Sequence, residues 1–240
     1  MATEVTRTST AWRNRVGDSS GTAPVEAHHF LREFLRSPRS IGALTPSSRW
    51  LAREMVRGLD LADMDAVVEL GPGSGALTRH IIQRLSSRTA FIAVEKNPRM
   101  AGSLRGRFPR VIVHQAAAEE LPAILRSHGL RQVDCVISGL PWANLPGRVQ
   151  EDILGGVLEV LQPGGHFVAF AYLSGLLMPS GRRFRQRLAD SFASVSTSRV
   201  VWPNLPPAFV YRCRLNGCQH VEPALGHDAA ARVTPACRQS

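Results

Sequence analysis

Residues 67–78 read VVELGPGSGALT: an apolar run ending in an acid, then Gly71, Gly73 and Gly75 at alternate positions, then the start of a helical pattern. No other feature constrains the chain as tightly. Alternate glycines leave a turn almost bare of side chains, so the backbone can bend sharply and another molecule's edge can come close to it. A strand entering such a turn and a helix leaving it form the opening unit of a doubly wound sheet, in which ligands sit beyond the carboxyl ends of the strands.

The rest of the chain repeats that unit. AFIAVE (90–95), VIVHQ (111–115), VDCVIS (133–138) and HFVAFAY (166–172) read as further strands. Helical patterns cover 76–85, 98–108, about 119–127 and 148–161. Such alternation predicts an α/β fold: a doubly wound, Rossmann-like sheet, mostly parallel, with helices on both faces. The end differs. SVSTSRVVW (194–202), the Pro-rich turn NLPPA and FVYRCR (209–214) predict a terminal hairpin with an antiparallel strand, which brings the sheet to seven strands. Two helices are expected before the first strand. AHHFLREFLR (27–36) puts Phe30, Leu31, Phe34 and Leu35 on one face, and SSRWLAREMVRGL (47–59) starts with serine caps after Pro46. The expected organisation is a disordered tail over 1–24, a helical cap or lid over 25–60, the Rossmann-like domain over 61–215 and a disordered tail over 216–240.

Composition limits the partners. The formal net charge is +10, and of 29 Lys and Arg residues only Lys96 is a lysine. A basic excess favours a polyanionic partner, and Arg suits bidentate phosphate contacts. Nucleic acid is not expected, because only 6% of residues are aromatic and stacking platforms are scarce. No apolar run reaches the ~20 residues that span a bilayer. The N-terminus has no apolar signal core, so a cytoplasmic protein is expected. Cys135 lies in an apolar run as a buried thiol. Cys213, Cys218 and His220 lack zinc-ligand spacing, so no metal is expected.

GPGSGA can be laid onto the dinucleotide pattern G-x-G-x-x-A, but Glu69 ahead of the glycines, the terminal hairpin and the helical stretch before the first strand point elsewhere. From about residue 28 to 214 the chain resembles class I S-adenosylmethionine-dependent methyltransferases, with ELGPGSG as their first motif. That resemblance implies S-adenosyl-L-methionine as cofactor, bound by Glu69, Gly71, Gly73 and Gly75. Glu95, at the end of the second strand, matches the acid that accepts from both ribose hydroxyls. Lys96 and Asn97 border the adenine. Ala117, followed by Ala118, stands where the family often has an acid for the adenine amine, so backbone contacts replace it. Ser138 and Thr45 complete the implied cofactor set, and LQPGG (161–165) matches the turn before the fifth strand.

The acceptor side resembles amino-methylating members. SGLPW (138–142) is a departed form of their N-L-P-Y motif: Gly139 replaces the Asn, leaving backbone carbonyls around Leu140 and Pro141, and the Trp142 ring, to hold and stack on a target nitrogen. FLREFLRSPRSIGALTPSSRWLAREM (30–55), SGLP and VWPNLPPAFVYR (201–212) together resemble soluble-type bacterial phosphatidylethanolamine N-methyltransferases, and more distantly rRNA adenine dimethylases. The closer resemblance implies methylation of a phospholipid headgroup amine by a peripheral enzyme on the inner membrane face. Arg182, Arg183, Arg185 and Arg187 would then meet lipid phosphates. The residues leave two acceptors open, a phospholipid or a soluble small molecule methylated on N or O. A cofactor-binding or nucleic-acid-binding protein without catalysis is the third reading. No base is evident, since His166 and Tyr172 also suit the core. The residues do not settle the oligomeric state.

Overall fold

The computed structural model describes residues 48–217. The expected tail over 1–24, the helix over 27–36 and Thr45 lie outside that range, as do residues 218–240. Strands β1 (Ala66–Leu70), β2 (Ala90–Val94), β3 (Ile112–His114), β4 (Val133–Ser138), β5 (Leu161–Tyr172), β6 (Ser194–Thr197) and β7 (Ala208–Arg214) form one seven-stranded sheet in the order β3-β2-β1-β4-β5-β7-β6. The parallel pairs are β1 with β2, β2 with β3, β1 with β4 and β4 with β5; β7 runs antiparallel to both β5 and β6. The expected strand over 194–202 stops at Thr197. There Ser198 still donates its N–H to Val210 O at 2.9 Å, but its hydroxyl in place of its carbonyl accepts from Val210 N at 2.9 Å, and beyond it an isolated bridge from Val201 to Ala208 follows.

The central strands are buried on both faces, as a parallel sheet covered by helices requires. Helices α1 (Arg49–Met55), α2 (Ala76–Ile82), α3 (Pro98–Arg107), α4 (Leu121–Ser127), α5 (Gly147–Val160) and α6 (Pro179–Ser191) supply the cover. Alternation along β1 divides the core: Ala66, Val68 and Leu70 face the layer with Ile153, Val157 and Phe167, while Val67 faces the layer with Leu51, Met55, Ile81 and Val210.

The expected cap over 25–60 is therefore corrected over its described part. Leu51, Ala52 and Met55 of α1 are fully buried against the sheet, so this helix is a layer of the domain and not a lid above it. Its ends are tied down. Ser48 caps the first turn by accepting from Leu51 N at 3.2 Å. Arg212, on β7, donates to the Glu54 carbonyl and carboxylate, both at 2.7 Å, and to the Arg57 carbonyl at 3.3 Å, tying the helix end to the sheet.

Helix α6 lies where the sequence was read only as an arginine cluster. Pro179 opens it, and Gly181, Phe184 and Leu188 form its buried stripe. Phe184 is 1% exposed and stacks on Trp142 at 4.4 Å with an 11° interplanar angle. Truncating it leaves a cavity between α6 and the loop after β4. Phe184→Ala should therefore cost about 3–5 kcal/mol in urea denaturation, and a loss near zero would mean that α6 does not pack on this loop.

Candidate active site

The strand order reverses between β1 and β4: the chain leaves β1 toward β2 and leaves β4 toward β5. This switch point is where a crevice opens in a doubly wound sheet. Here two loops meet across it, backbone to backbone. Gly139 N donates to Leu70 O at 2.7 Å across it, while on the far side Gly71 N donates to Val94 O of β2 at 2.9 Å. A Cβ added to Gly139 would lie 2.6 Å from the Gly71 carbonyl oxygen, and one added to Gly71 would lie 2.6 Å from Leu140 Cδ2. Gly139, expected as a lost amide, is thus fixed by the glycine loop opposite it. Gly75 is occupied from within, by Phe108 and Leu104. Gly73 differs: its φ is +54° and nothing lies within 4 Å of a built Cβ. It is the open position of the loop, where a ligand can reach the backbone.

Two acids flank that opening. Glu95 is 4% exposed; its Oε2 accepts from Gly73 N at 3.0 Å and its Oε1 from Asn97 N at 2.8 Å. These bonds fix the carboxylate beside the open glycine, and each oxygen keeps a second acceptor site for a diol. Asn97 caps α3 by accepting from Arg99 N and Met100 N, a role legible in Asn-Pro at a helix start but not drawn from it. Lys96 is exposed. Ala116 N donates to Glu95 O at 3.2 Å, which sets Ala117 and Ala118, both half-buried, alongside.

Glu69 is fully buried beneath the loop. Its Oε2 accepts from the Thr78 hydroxyl at 2.7 Å, whereas Oε1 has no hydrogen-bond partner among the described residues. Burial pushes its carboxyl up to about 8 against the pull of the Thr78 bond, and the Glu95 charge adds to the rise. Thr78 was not singled out from the sequence; its place three residues past Gly75, on the first turn of α2, is the only signal for it.

On the acceptor side the outcome is mixed. Ser138 is buried at the end of β4, and its Oγ accepts from Leu140 N at 3.3 Å and from Trp142 Nε1 at 3.0 Å. Leu140 and Pro141 are half-buried at the crevice. Trp142 is 1% exposed, covered by Phe184 on one face and met edge-on by Phe167 at 5.8 Å. The amine-stacking role expected of its ring has no open face in this structure; the ring holds the loop in place. Gln150, which the sequence reading missed, does the same from α5. It is fully buried and donates to Trp142 O at 2.6 Å and Leu145 O at 3.1 Å.

The arginines separate as well. Arg187 donates to Gln150 Oε1 at 2.7 Å and pairs with Glu151, so it braces α6 on α5 and is not free for a phosphate. Arg182, Arg183 and Arg185 are exposed. His166 pairs with Cys135, well below the carboxyl edge of the sheet, while Tyr172 ends β5 at that edge. Burial raises the Tyr172 phenol, so it stays neutral. Among the described residues no cluster of His, Cys, Asp or Glu is built to hold a metal.

An open glycine, an aimed carboxylate and a buried acid with an unsatisfied oxygen suit a cationic ligand that carries a diol. The comparisons agree. A family model described as a methyltransferase domain matches residues 67–165. An ornithine lipid N-methyltransferase of Singulisphaera acidiphila is 35% identical over 188 residues, 77% of this chain and 94% of that protein. A ribosomal RNA small subunit methyltransferase A of Synechococcus sp. (strain WH7803) is 32% identical over 136 residues, 52% of this chain and 47% of that protein. Among solved structures, the 1,6-didemethyltoxoflavin-N1-methyltransferase of Burkholderia thailandensis superposes with a TM-score of 0.59 at 16% identity, over 83% of this chain and 93% of the other. An O-methyltransferase from Bacillus cereus, in complex with SAH, gives 0.55 at 14% identity, over 85% and 96%; these two carry the fold alone. The chain belongs to the class I S-adenosylmethionine-dependent methyltransferases. It is an enzyme, and its cofactor is S-adenosyl-L-methionine.

Gly139→Ala should lower stability by about 1–3 kcal/mol through the clash with Gly71, read by urea denaturation; an unchanged midpoint would mean the two loops do not touch. Glu69 gives a pH signature. Its folded value, about 8, lies above the ordinary 4.5, so the stability it contributes is full at low pH and is lost as pH rises through about 8. Glu69→Gln, neutral throughout, should remove that loss between about pH 5 and pH 9. A cationic ligand favours the ionised acid, so cofactor binding near neutral pH should release a proton. Calorimetry in two buffers of different ionisation enthalpy should detect the release in the parent and not in Glu69→Gln; equal heats in both buffers for the parent would contradict it.

Proposed function

We propose that this enzyme transfers methyl groups to the primary amine of a membrane lipid headgroup, with phosphatidylethanolamine as acceptor, working at a membrane surface. The observation that carries the proposal is the extent of the likeness to the ornithine lipid N-methyltransferase, which covers 94% of that protein. Both headgroups present a primary amine on a flexible stem that also carries an anionic group, phosphate in one and carboxylate in the other, so one acceptor chemistry covers them. The half-buried loop at 139–141, without a side-chain amide, suits an amine approached along the backbone.

S-adenosylmethionine, when bound, supplies an electrophilic methyl group on a sulfonium. The chain's own residues align and enclose. Glu95 and the open backbone at Gly73 hold the ribose side, and Glu69 supplies negative charge below it. Loop 139–141 brings backbone carbonyls to the crevice, where an amine's N–H groups can donate while its lone pair points inward. Alignment and exclusion of water then account for most of the barrier lowered. The spare proton of the amine leaves to water, and no side chain of the loop is required to act as a base.

The test is methyl transfer from labelled cofactor to vesicles of phosphatidylethanolamine, with ornithine lipid and a pool of soluble amines and phenols in parallel. Label in phosphatidylethanolamine, rising through successive methylations, is the expected result. Label in ornithine lipid alone would move the acceptor within the aminolipids. Label only in the soluble pool would remove the lipid acceptor and keep the methyltransferase.

A further inference from the structure

Three segments meet at the carboxyl edge of the sheet beside the acceptor loop, and each exposes large apolar side chains. The turn after β5 and the start of α6 expose Leu177 (76%) and Met178 (40%); the loop before β7 exposes Trp202 (66%) and Leu205 (69%); the start of α1 exposes Trp50 (44%). Hydrogen bonds join the three. Leu173 N donates to Pro207 O at 2.9 Å, and Ser48 N donates to Asn204 Oδ1 at 3.0 Å. The patch also adjoins the site: Ser180, at the start of α6, donates its hydroxyl to Ala143 O at 2.5 Å, on the turn that begins with Trp142.

Four of the five lie in short loops, or at the loop entering α6, with no hydrophobic neighbour strand to join; they serve no core. Their charge surroundings are one-sided. Residues 48–53, 173–183 and 198–207 contain no Asp or Glu. The same segments expose Arg49, Arg182, Arg183 and Arg199. Arg49 lies over the Trp50 ring at 5.1 Å, an aromatic body with a cation at its rim. Aromatic and aliphatic tips ringed by arginines, without acids, match an anionic bilayer interface, where the tips enter the headgroup–acyl boundary and the cations meet lipid phosphates. A protein partner with an acidic rim would need shape complementarity that scattered loop tips do not offer. Among the described residues no helix is long and apolar enough to cross a membrane, so contact through this face would be peripheral.

We propose that Leu177, Met178, Trp202, Leu205 and Trp50 form a docking face for an anionic lipid bilayer, which seats the mouth of the active site against the headgroup layer. This rests on the lipid acceptor proposed above and adds where the enzyme meets it. A headgroup amine lifted from the bilayer then reaches loop 139–141 without the lipid leaving the membrane.

The experiment uses the full chain and vesicles of mixed zwitterionic and anionic lipids, with bromine on the acyl chains of part of the lipid. Contact quenching of tryptophan emission is compared between the parent and Trp202→Phe. Partitioning onto vesicles is compared between the parent and a Leu177→Glu, Leu205→Glu double variant. The expected results are quenching that falls in Trp202→Phe and partitioning reduced roughly tenfold or more in the double variant, which still methylates a short-chain, water-dispersed aminolipid at the parent rate. Identical quenching in the parent and Trp202→Phe, or undiminished partitioning of the double variant, would overturn the docking face. So would a concentration-dependent dimer that shields Trp202 while vesicles leave it unquenched. The short-chain arm keeps the two proposals apart: failure of every aminolipid as acceptor sinks the lipid reaction, whereas the docking face stands or falls on quenching and partitioning alone.

Discussion

Two glycines in contact hold the site together. Gly71 opens the turn after β1 and Gly139 the turn after β4, and a single methyl on either would collide with the other loop at 2.6 Å. The glycine loop and loop 139–141 therefore cannot move far apart without breaking a backbone contact. For a reaction whose donor is already strongly electrophilic, the distance and angle between two bound molecules are what a protein can best supply. A backbone contact sets that distance more firmly than a pair of side chains, because it carries no rotamer freedom.

Loop 139–141 is braced from behind. Arg187 on α6 donates to Gln150 on α5, Gln150 donates to the Trp142 carbonyl, and the Trp142 indole donates to Ser138 at the end of β4. The Phe184 ring closes the stack. Each polar atom in this chain is buried or nearly so and has a partner, as a buried network must if it is to rigidify rather than weaken. The result divides labour across α6. Its inner face, Gly181, Phe184 and Leu188, fixes the loop, while Arg182 and Arg183 stay at the surface near the mouth.

The alternation of strands and helices, the glycine loop and the acid at the end of β2 were legible in the sequence because each depends on a local pattern: a run of β-branched residues, alternate glycines, an acid at a strand's end. What was not legible depended on contacts between distant segments. Gly139 looks like a missing amide until Gly71 is seen opposite it. Trp142 looks like an open ring until Phe184, over 40 positions later, covers it. Arg187 stands in a run of arginines that reads as one cationic patch, yet a helix turns it toward Gln150 and Glu151 and leaves its neighbours in solvent. The same run hid α6, since four arginines masked a buried stripe of only three residues.

Two buried acids complete the site. Glu95 is held by two backbone N–H groups, one of them that of Gly73, the open glycine of the 71–75 loop, and Glu69 is held by one hydroxyl. The central claim is that this pair and the open loop form the cofactor site. Calorimetric titration of S-adenosylhomocysteine into the protein and its Glu95→Ala variant tests it most directly. Losing hydrogen bonds to a charged acceptor should weaken binding by about 1.5–3 kcal/mol, roughly tenfold or more. Equal affinity in the two proteins would place the cofactor elsewhere and contradict the site described for this fold.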